Sequence, residues 1–134
     1  MNSFPLKIVT PDGLLFNGQA EELILRTTTG DIGILAGHVN CVAPLGMGRA
    51  MVITDGKRRY AACIGGMVSV LNGEVTLVPT TFEWAEDIDS VRVEKSYERA
   101  QKILGSKDAS GTDIRLAQAR LRRALVRRGV ASKK

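Results

Sequence analysis

The hydrophobic period of this chain changes once, close to Trp84-Ala85-Glu86, and that change limits the fold more than any other feature. Before it, short runs of Val, Ile, Leu and Thr alternate with polar residues and are cut by turn signals, as half-buried strands are. After it, apolar residues recur every three or four positions, the spacing of one helix face. At 134 residues the chain suits one domain, or one domain with a small appendage.

Phe4, Leu6 and Ile8 alternate with Pro5, Lys7 and Val9 in a first strand, and Pro11-Asp12-Gly13 supplies a turn. Leu14 to Phe16 form a second run, Asn17-Gly18 reads as another turn, and Leu23 to Thr29 is a third strand. Two hairpin signals are strong. Asp55-Gly56 lies between Met51–Thr54 and Arg58–Ala61, and Asn72-Gly73 lies between Met67–Leu71 and Val75–Val78. Both central residues of a tight I′ hairpin need positive φ, which Asx-Gly tolerates best. Many short strands with frequent turns predict a sandwich or flattened barrel. The glycine-dense stretch Gly30 to Gly48 has no GxxxxGK[ST] and no helix after it, so it reads as tight turns rather than a phosphate loop.

Beyond residue 86, Val93, Tyr97, Ala100 and Leu104 form the stripe of a first helix, with Asp87 or Asp89 at its start and Gly105 at its end. Thr112 or Asp113 starts a second helix with the stripe Ile114, Ala117, Leu121, Ala124 and Leu125, and Gly129 ends it. The short loop between them predicts an antiparallel hairpin. The division expected is a β-sandwich over residues 1–86 and a helix hairpin over residues 87–134. Alanine dominates the stripes, and each buried CH₂ is worth about 0.8 kcal/mol, so the hairpin is expected to dock weakly enough to detach, the alternative being a permanently docked pair.

Charge follows the same division. Residues 1–89 hold six Lys/Arg and ten Asp/Glu, whereas residues 90–134 hold thirteen and four. A basic tail of net +9 on an acidic body of net −4 suits an acidic protein surface or a polyphosphate ligand. The alternative is a nucleic-acid-binding module. That needs stacking aromatics, and residues 90–134 hold one, Tyr97. Cys41 and Cys63, with the single His38, are too few for a zinc site or a disulfide framework. Neither a nucleophile–base pair nor a metal cluster is legible, so no catalytic residues are expected. There is no apolar run of membrane-spanning length, and Met1 to Pro5 do not resemble a secretory signal.

Gly30-Asp31-Ile32-Gly33-Ile34-Leu35-Ala36-Gly37-His38, Gly65-Gly66-Met67-Val68-Ser69-Val70, Ala85-Glu86-Asp87-Ile88-Asp89 and Ala117 to Leu125 occur in an order that resembles the epsilon subunits of bacterial F-type ATP synthases. The resemblance spans residues 3–128. It implies a sandwich of about ten strands and a C-terminal antiparallel two-helix hairpin. It also implies a non-catalytic central-stalk subunit that couples the catalytic head to the membrane rotor. The implied partners are the gamma subunit, the c-ring and the alpha/beta head, with no nucleic acid and no membrane insertion. The implied place is peripheral, on the cytoplasmic face of the cell membrane. Asp31 and His38 match the contact region with rotor and stalk, and Ala36 stands where many members have Pro.

The hairpin of the family lies compact on the sandwich or extends into the head to block ATP hydrolysis. The basic residues Arg115, Arg120, Arg122, Arg123, Arg127 and Arg128 would hold the extended state. No cofactor is required, but some members bind ATP as a regulatory ligand through [IL]-D-x-x-R-A. Ile88-Asp89-Ser90-Val91-Arg92-Val93 matches it except that Val93 replaces Ala. Glu83, Arg99, Arg123 and Arg127 match the family's further ligand-binding positions. Two helices carrying guanidinium groups suit phosphate. The same residues suit ion pairing within the hairpin equally well.

Overall fold

The computed structural model describes residues 2–134. Its strands are β1 (Phe4–Thr10), β2 (Gly13–Ala20), β3 (Glu22–Thr27), β4 (Gly30–Leu35), β5 (Cys41–Pro44), β6 (Met47–Thr54), β7 (Lys57–Leu71) and β8 (Glu74–Trp84). A single 3₁₀ turn, Ala85–Asp87, leads to the helices α1 (Ser90–Leu104) and α2 (Gly111–Ala131).

One sheet runs β2-β1-β8-β7-β6-β3-β4, with β5 added to β7. It closes over itself because β7 changes partners along its length. Its first half pairs with β6 through Lys57–Ile64, and its second half pairs with β5 through Met67–Val70. The change falls at Gly65 and Gly66, with φ of 68° and 96°. A Cβ on Gly66 would lie 2.0 Å from the Val78 carbonyl oxygen, so no other residue fits this bend. Eight continuous strands replace the ten expected; β7 and β8 each run through both layers and account for the difference.

Both Asx-Gly hairpins form as expected. Asp55 and Gly56 have φ of 52° and 73°, and Asn72 and Gly73 have 50° and 82°. Asn17-Gly18 is not a turn. It lies inside β2, where Asn17 and Gly18 pair with Lys7 and Leu6. Of the dense glycines, Gly30 and Gly37 take positive φ, whereas Gly33 and Gly48 lie within strands. The alternation of β1 holds, with Phe4, Leu6 and Ile8 buried. They meet Leu23, Leu25, Ile34, Val52, Val68 and Leu77 in the core. Phe82 and Trp84 close one end edge-to-face at 4.9 Å, and the Arg59 guanidinium covers the Trp84 ring at 3.6 Å.

The helix boundaries correct two readings. Ser110 rather than Thr112 or Asp113 caps α2: its hydroxyl accepts the Asp113 N–H, and the Asp113 carboxylate accepts the Ser110 N–H. Gly129 does not end α2, which continues to Ala131. Asp89 caps α1 by accepting the Arg92 N–H at 3.1 Å. Within the hairpin, Val93, Ala100, Ala117, Ala124 and Val130 are buried, but Leu125 of the expected stripe is 45% exposed. α2 lies against β6, β7 and the 3₁₀ turn, and α1 packs on α2. A second apolar cluster, Ala62, Ala85, Ile88, Val93, Ala124 and Val130, seals that contact. No helix among the described residues is long and apolar enough to cross a membrane.

Candidate functional site

The seam between hairpin and sandwich opens into two adjoining clefts. The first, about 350 Å³, is lined by Glu83, Asp87, Asp89, Arg92, Val93, Ser96, Ala124 and Arg127. The second, about 430 Å³, is lined by Thr81, Ser96, Arg99, Ala100, Arg120, Arg123 and Arg127. They share Ser96 and Arg127.

Besides Asp87 of the 3₁₀ turn, three elements supply these groups. β8 ends at Trp84 and presents Thr81 and Glu83 on its outer face, opposite buried Phe82 and Trp84. Asp89, as N-cap, starts α1 so that Arg92, Ser96 and Arg99 follow at steps of four and three on one face. On α2, Arg120, Ala124 and Arg127 repeat the same steps, with Arg123 beside them. The small Ala124 lets α2 approach Val93.

Arg127 ties the arrangement together. Its Nε donates to Glu83 Oε1 at 2.6 Å, joining α2 to β8 with both side chains partly buried. Asp89 holds the start of α1 with Oδ1 alone. Lys134 donates to the Ile88 carbonyl at 2.5 Å, so the end of the chain clasps the linker.

Six of the seven expected ATP-binding residues therefore come together: Glu83, Asp89 and Arg92 at the first cleft, Arg99 and Arg123 at the second, and Arg127 at both. Ile88 does not face either cleft. It is 2% exposed and lies in the apolar cluster beneath them. Val93, 6% exposed, belongs to that cluster and to the first cleft's wall, so its extra carbons occupy the seam itself. Thr81, Asp87, Ser96 and Arg120 also line the clefts. Helical spacing from Arg92 and Arg99 could have revealed Ser96; Thr81 had no such signal.

The expected basic face is divided. Arg120, Arg123 and Arg127 turn toward the second cleft. Arg128 forms a fork with Glu94, at 2.7 and 3.0 Å, and lies 3.9 Å over the Tyr97 ring. Donating these hydrogen bonds to the Glu94 carboxylate raises the Arg128 pKa further. Arg115 and Arg122 are exposed, away from both clefts. Beside the linker, the hydrogen bond from Arg59 lowers the Glu86 pKa, and the two pair at 2.7 Å.

Asp31 and His38 flank β4 from opposite ends. Asp31 is the second residue of β4 and pairs across strands with Arg26 at 2.8 Å, whereas His38 lies beyond the other end of that strand. Asp31 faces a groove of about 370 Å³ under Leu125, Val126 and Val130 of α2. His38 sits in the β4–β5 loop beside exposed Leu35 and Val39, its Nδ1 2.8 Å from the Val39 carbonyl oxygen. On the outer sheet face, exposed Pro44, Met67 and Val78 form a row across β5, β7 and β8.

No group of three or more His, Cys, Asp and Glu side chains among the described residues is placed to hold a metal ion. Burial pushes the Cys63 thiol up to about 12, so it is a core side chain without nucleophilic character near neutral pH.

Residues 3–85 match the family model described as ATP synthase, Delta/Epsilon chain, beta-sandwich domain. Residues 86–132 match ATP synthase, Delta/Epsilon chain, long alpha-helix domain. The chain belongs to the ATP synthase epsilon-chain family. Among its relatives is the ATP synthase epsilon chain of Ruminococcus albus, 40% identical over 135 residues, covering 100% of both chains. The ATP synthase epsilon chain of Bacillus subtilis is 41% identical over 115 residues, 86% of each chain. A chain of the Euglena gracilis mitochondrial ATP synthase shares the fold, with a TM-score of 0.83 at 24% identity. That match covers 98% of this chain and 82% of the other. The sandwich-then-helices order is the order of this epsilon-chain family.

Proposed function

We propose that this chain is a non-catalytic central-stalk subunit of an F-type ATP synthase, peripheral on the cytoplasmic face of the membrane, whose hairpin regulates ATP hydrolysis. The sandwich is the permanent coupling element. Its exposed row Pro44, Met67 and Val78, with Leu35 and Val39 near His38, suits docking on the gamma subunit and the c-ring. The hairpin is the moving element: it inhibits hydrolysis when extended toward acidic surface of the alpha/beta head, and it is at rest when compact.

The observation that carries the regulatory part is the convergence of Arg92, Arg99, Arg123 and Arg127 from both helices on clefts that exist only while the hairpin is docked. A ligand that bridges α1, α2 and β8 there stabilises the compact state by mass action and withdraws the inhibitor. ATP fits this role. Its phosphates suit the arginine-lined cleft, and its base suits the neighbouring one, whose three carboxylates repel phosphate.

Calorimetry on the full chain tests the reading. Arg99→Ala with Arg123→Ala is expected to abolish ATP binding while the fold persists. Val93 crowds the first cleft, at a cost of roughly 1–3 kcal/mol for an overpacked site. Val93→Ala is therefore expected to tighten ATP about tenfold. In reconstituted heads, the chain cut before residue 88 is expected to bind gamma and to leave hydrolysis uninhibited. Absence of heat at millimolar ATP from both the native chain and Val93→Ala would remove the sensor. Loss of gamma binding by the shortened chain would remove the division of labour.

A further inference from the structure

The arginine-lined cleft is longer than the set of arginines that the nucleotide reading uses. Arg120, Arg123 and Arg127 stand in a row along α2, and Arg99 faces them from α1. Seven residues of helix place the ends of that row about 10 Å apart. No carboxylate lines this cleft. Arg127 reaches Glu83 at one end, but the side chains of Arg99, Arg120 and Arg123 make no hydrogen bond or ion pair among the described residues. Like charges one turn apart destabilise a helix, and here a second helix adds to them. Such a row is relieved by an anion that spans it. Thr81 and Ser96 offer hydroxyl donors to the same anion.

The direction of the row matters. Glu83, Asp87 and Asp89 crowd the Arg127 end, in the first cleft. Arg120 lies at the other end, one turn beyond Arg123. Phosphates of a nucleotide whose base sits among the carboxylates would run toward Arg120 and leave that guanidinium beyond the terminal phosphate.

We propose that this cleft binds a linear condensed phosphate chain longer than a triphosphate, with inorganic polyphosphate as a ligand in its own right and Arg120 as the residue that selects for length. The proposal rests on the reading of the docked hairpin as an anion site. It does not require a base, because the base-side cleft is separate. Bound polyphosphate would join α1 to α2 and hold the hairpin compact, by the same mass action as a nucleotide.

Calorimetry on the full chain, with ATP, inorganic tripolyphosphate and long-chain inorganic polyphosphate titrated separately, tests it. Long-chain polyphosphate is expected to bind more tightly per chain than tripolyphosphate. Arg120→Ala is expected to weaken the long chain about tenfold, the scale of one charge-assisted contact, and tripolyphosphate and ATP by less than about threefold. Arg120→Lys should restore part of the loss. Arg122→Ala, which removes an exposed charge outside the cleft, should change each by less than about twofold. Amide signals of Thr81 and Ser96 should move on binding.

Equal weakening by Arg120→Ala and Arg122→Ala, with Thr81 and Ser96 unmoved, would overturn the site in favour of general attraction between polyanion and basic helix. Absence of polyphosphate binding would overturn it whatever ATP does. ATP binding with an Arg120-indifferent polyphosphate response would remove length selection and leave the nucleotide sensor standing. Arg120-dependent polyphosphate binding without ATP binding would support the site and remove the nucleotide sensor.

Discussion

The interior of the sandwich and the seam under the hairpin both hold an apolar cluster, yet they bury different things. Leu6, Ile8, Leu23, Leu25, Ile34, Val52, Val68 and Leu77 are sealed completely inside the sandwich. The seam relies on Ala62, Ala85 and Ala124, with Ile88, Val93 and Val130. A buried alanine contributes one methyl where leucine contributes four carbons, and burial scales at roughly 0.8 kcal/mol per CH₂. The seam compensates with charge: Glu83–Arg127 ties α2 to β8, and Glu94–Arg128 ties α1 to α2. Apolar packing of the first kind is cooperative and indifferent to salt. The second kind is weak and depends on ions.

The sharpest way to break this comparison is to damage each region in turn. Leu77→Ala, in the sandwich core, is expected to lower unfolding stability by about 2–5 kcal/mol and to shift the whole denaturant transition. Val130→Ala, in the seam, is expected to cost about 1.5 kcal/mol. It should appear as faster amide exchange across α1 and α2, while exchange in β1, β7 and β8 holds steady. If the sandwich transition moved as far with Val130→Ala as with Leu77→Ala, the two regions would be one cooperative unit.

Acidity sharpens the contrast. The Cys63 thiol is raised by burial from 9.0 to about 12, so the folded state holds its proton more firmly than the unfolded chain does. Stability from this group is fully present well below pH 9 and is lost as pH rises toward 12, about 1.4 kcal/mol of it by pH 10. Denaturant titrations at pH 8 and pH 10 check this, and Cys63→Ala should flatten the difference.

The smallest effect belongs to the ion pair. Glu83→Gln is expected to loosen the hairpin by less than about 1 kcal/mol, since both partners retain access to water. Added salt should shrink the gap between variant and native chain in α2 amide exchange. A gap that persisted at high salt would mean that Glu83 acts by packing.

Local chemistry was legible where the chain needed no distant partner. Asp55-Gly56 and Asn72-Gly73 turn because of their own backbone freedom, and Asp89 caps α1 from the adjacent position. Asn17-Gly18 carries the same signal and is not a turn, because β1 supplies a ladder for both residues. The helix end at Gly129 failed for a related reason. Val130 and Ala131 gain burial by staying helical, which offsets roughly 1 kcal/mol of glycine's poor propensity.

By itself the sequence determined the change of period near residue 85, the two tight hairpins, the weak alanine stripes and the concentration of positive charge in the tail. All four depend on neighbours within a few residues. Only the tertiary structure decided that Arg127 meets Glu83, that Arg128 is taken by Glu94, that Asp31 is taken by Arg26, and that Arg120 joins Arg99 and Arg123 around one cleft. Those outcomes depend on where α2 crosses α1 and where both meet β8. Residues some forty positions apart share a cleft through packing of the layers between them, which no local period encodes.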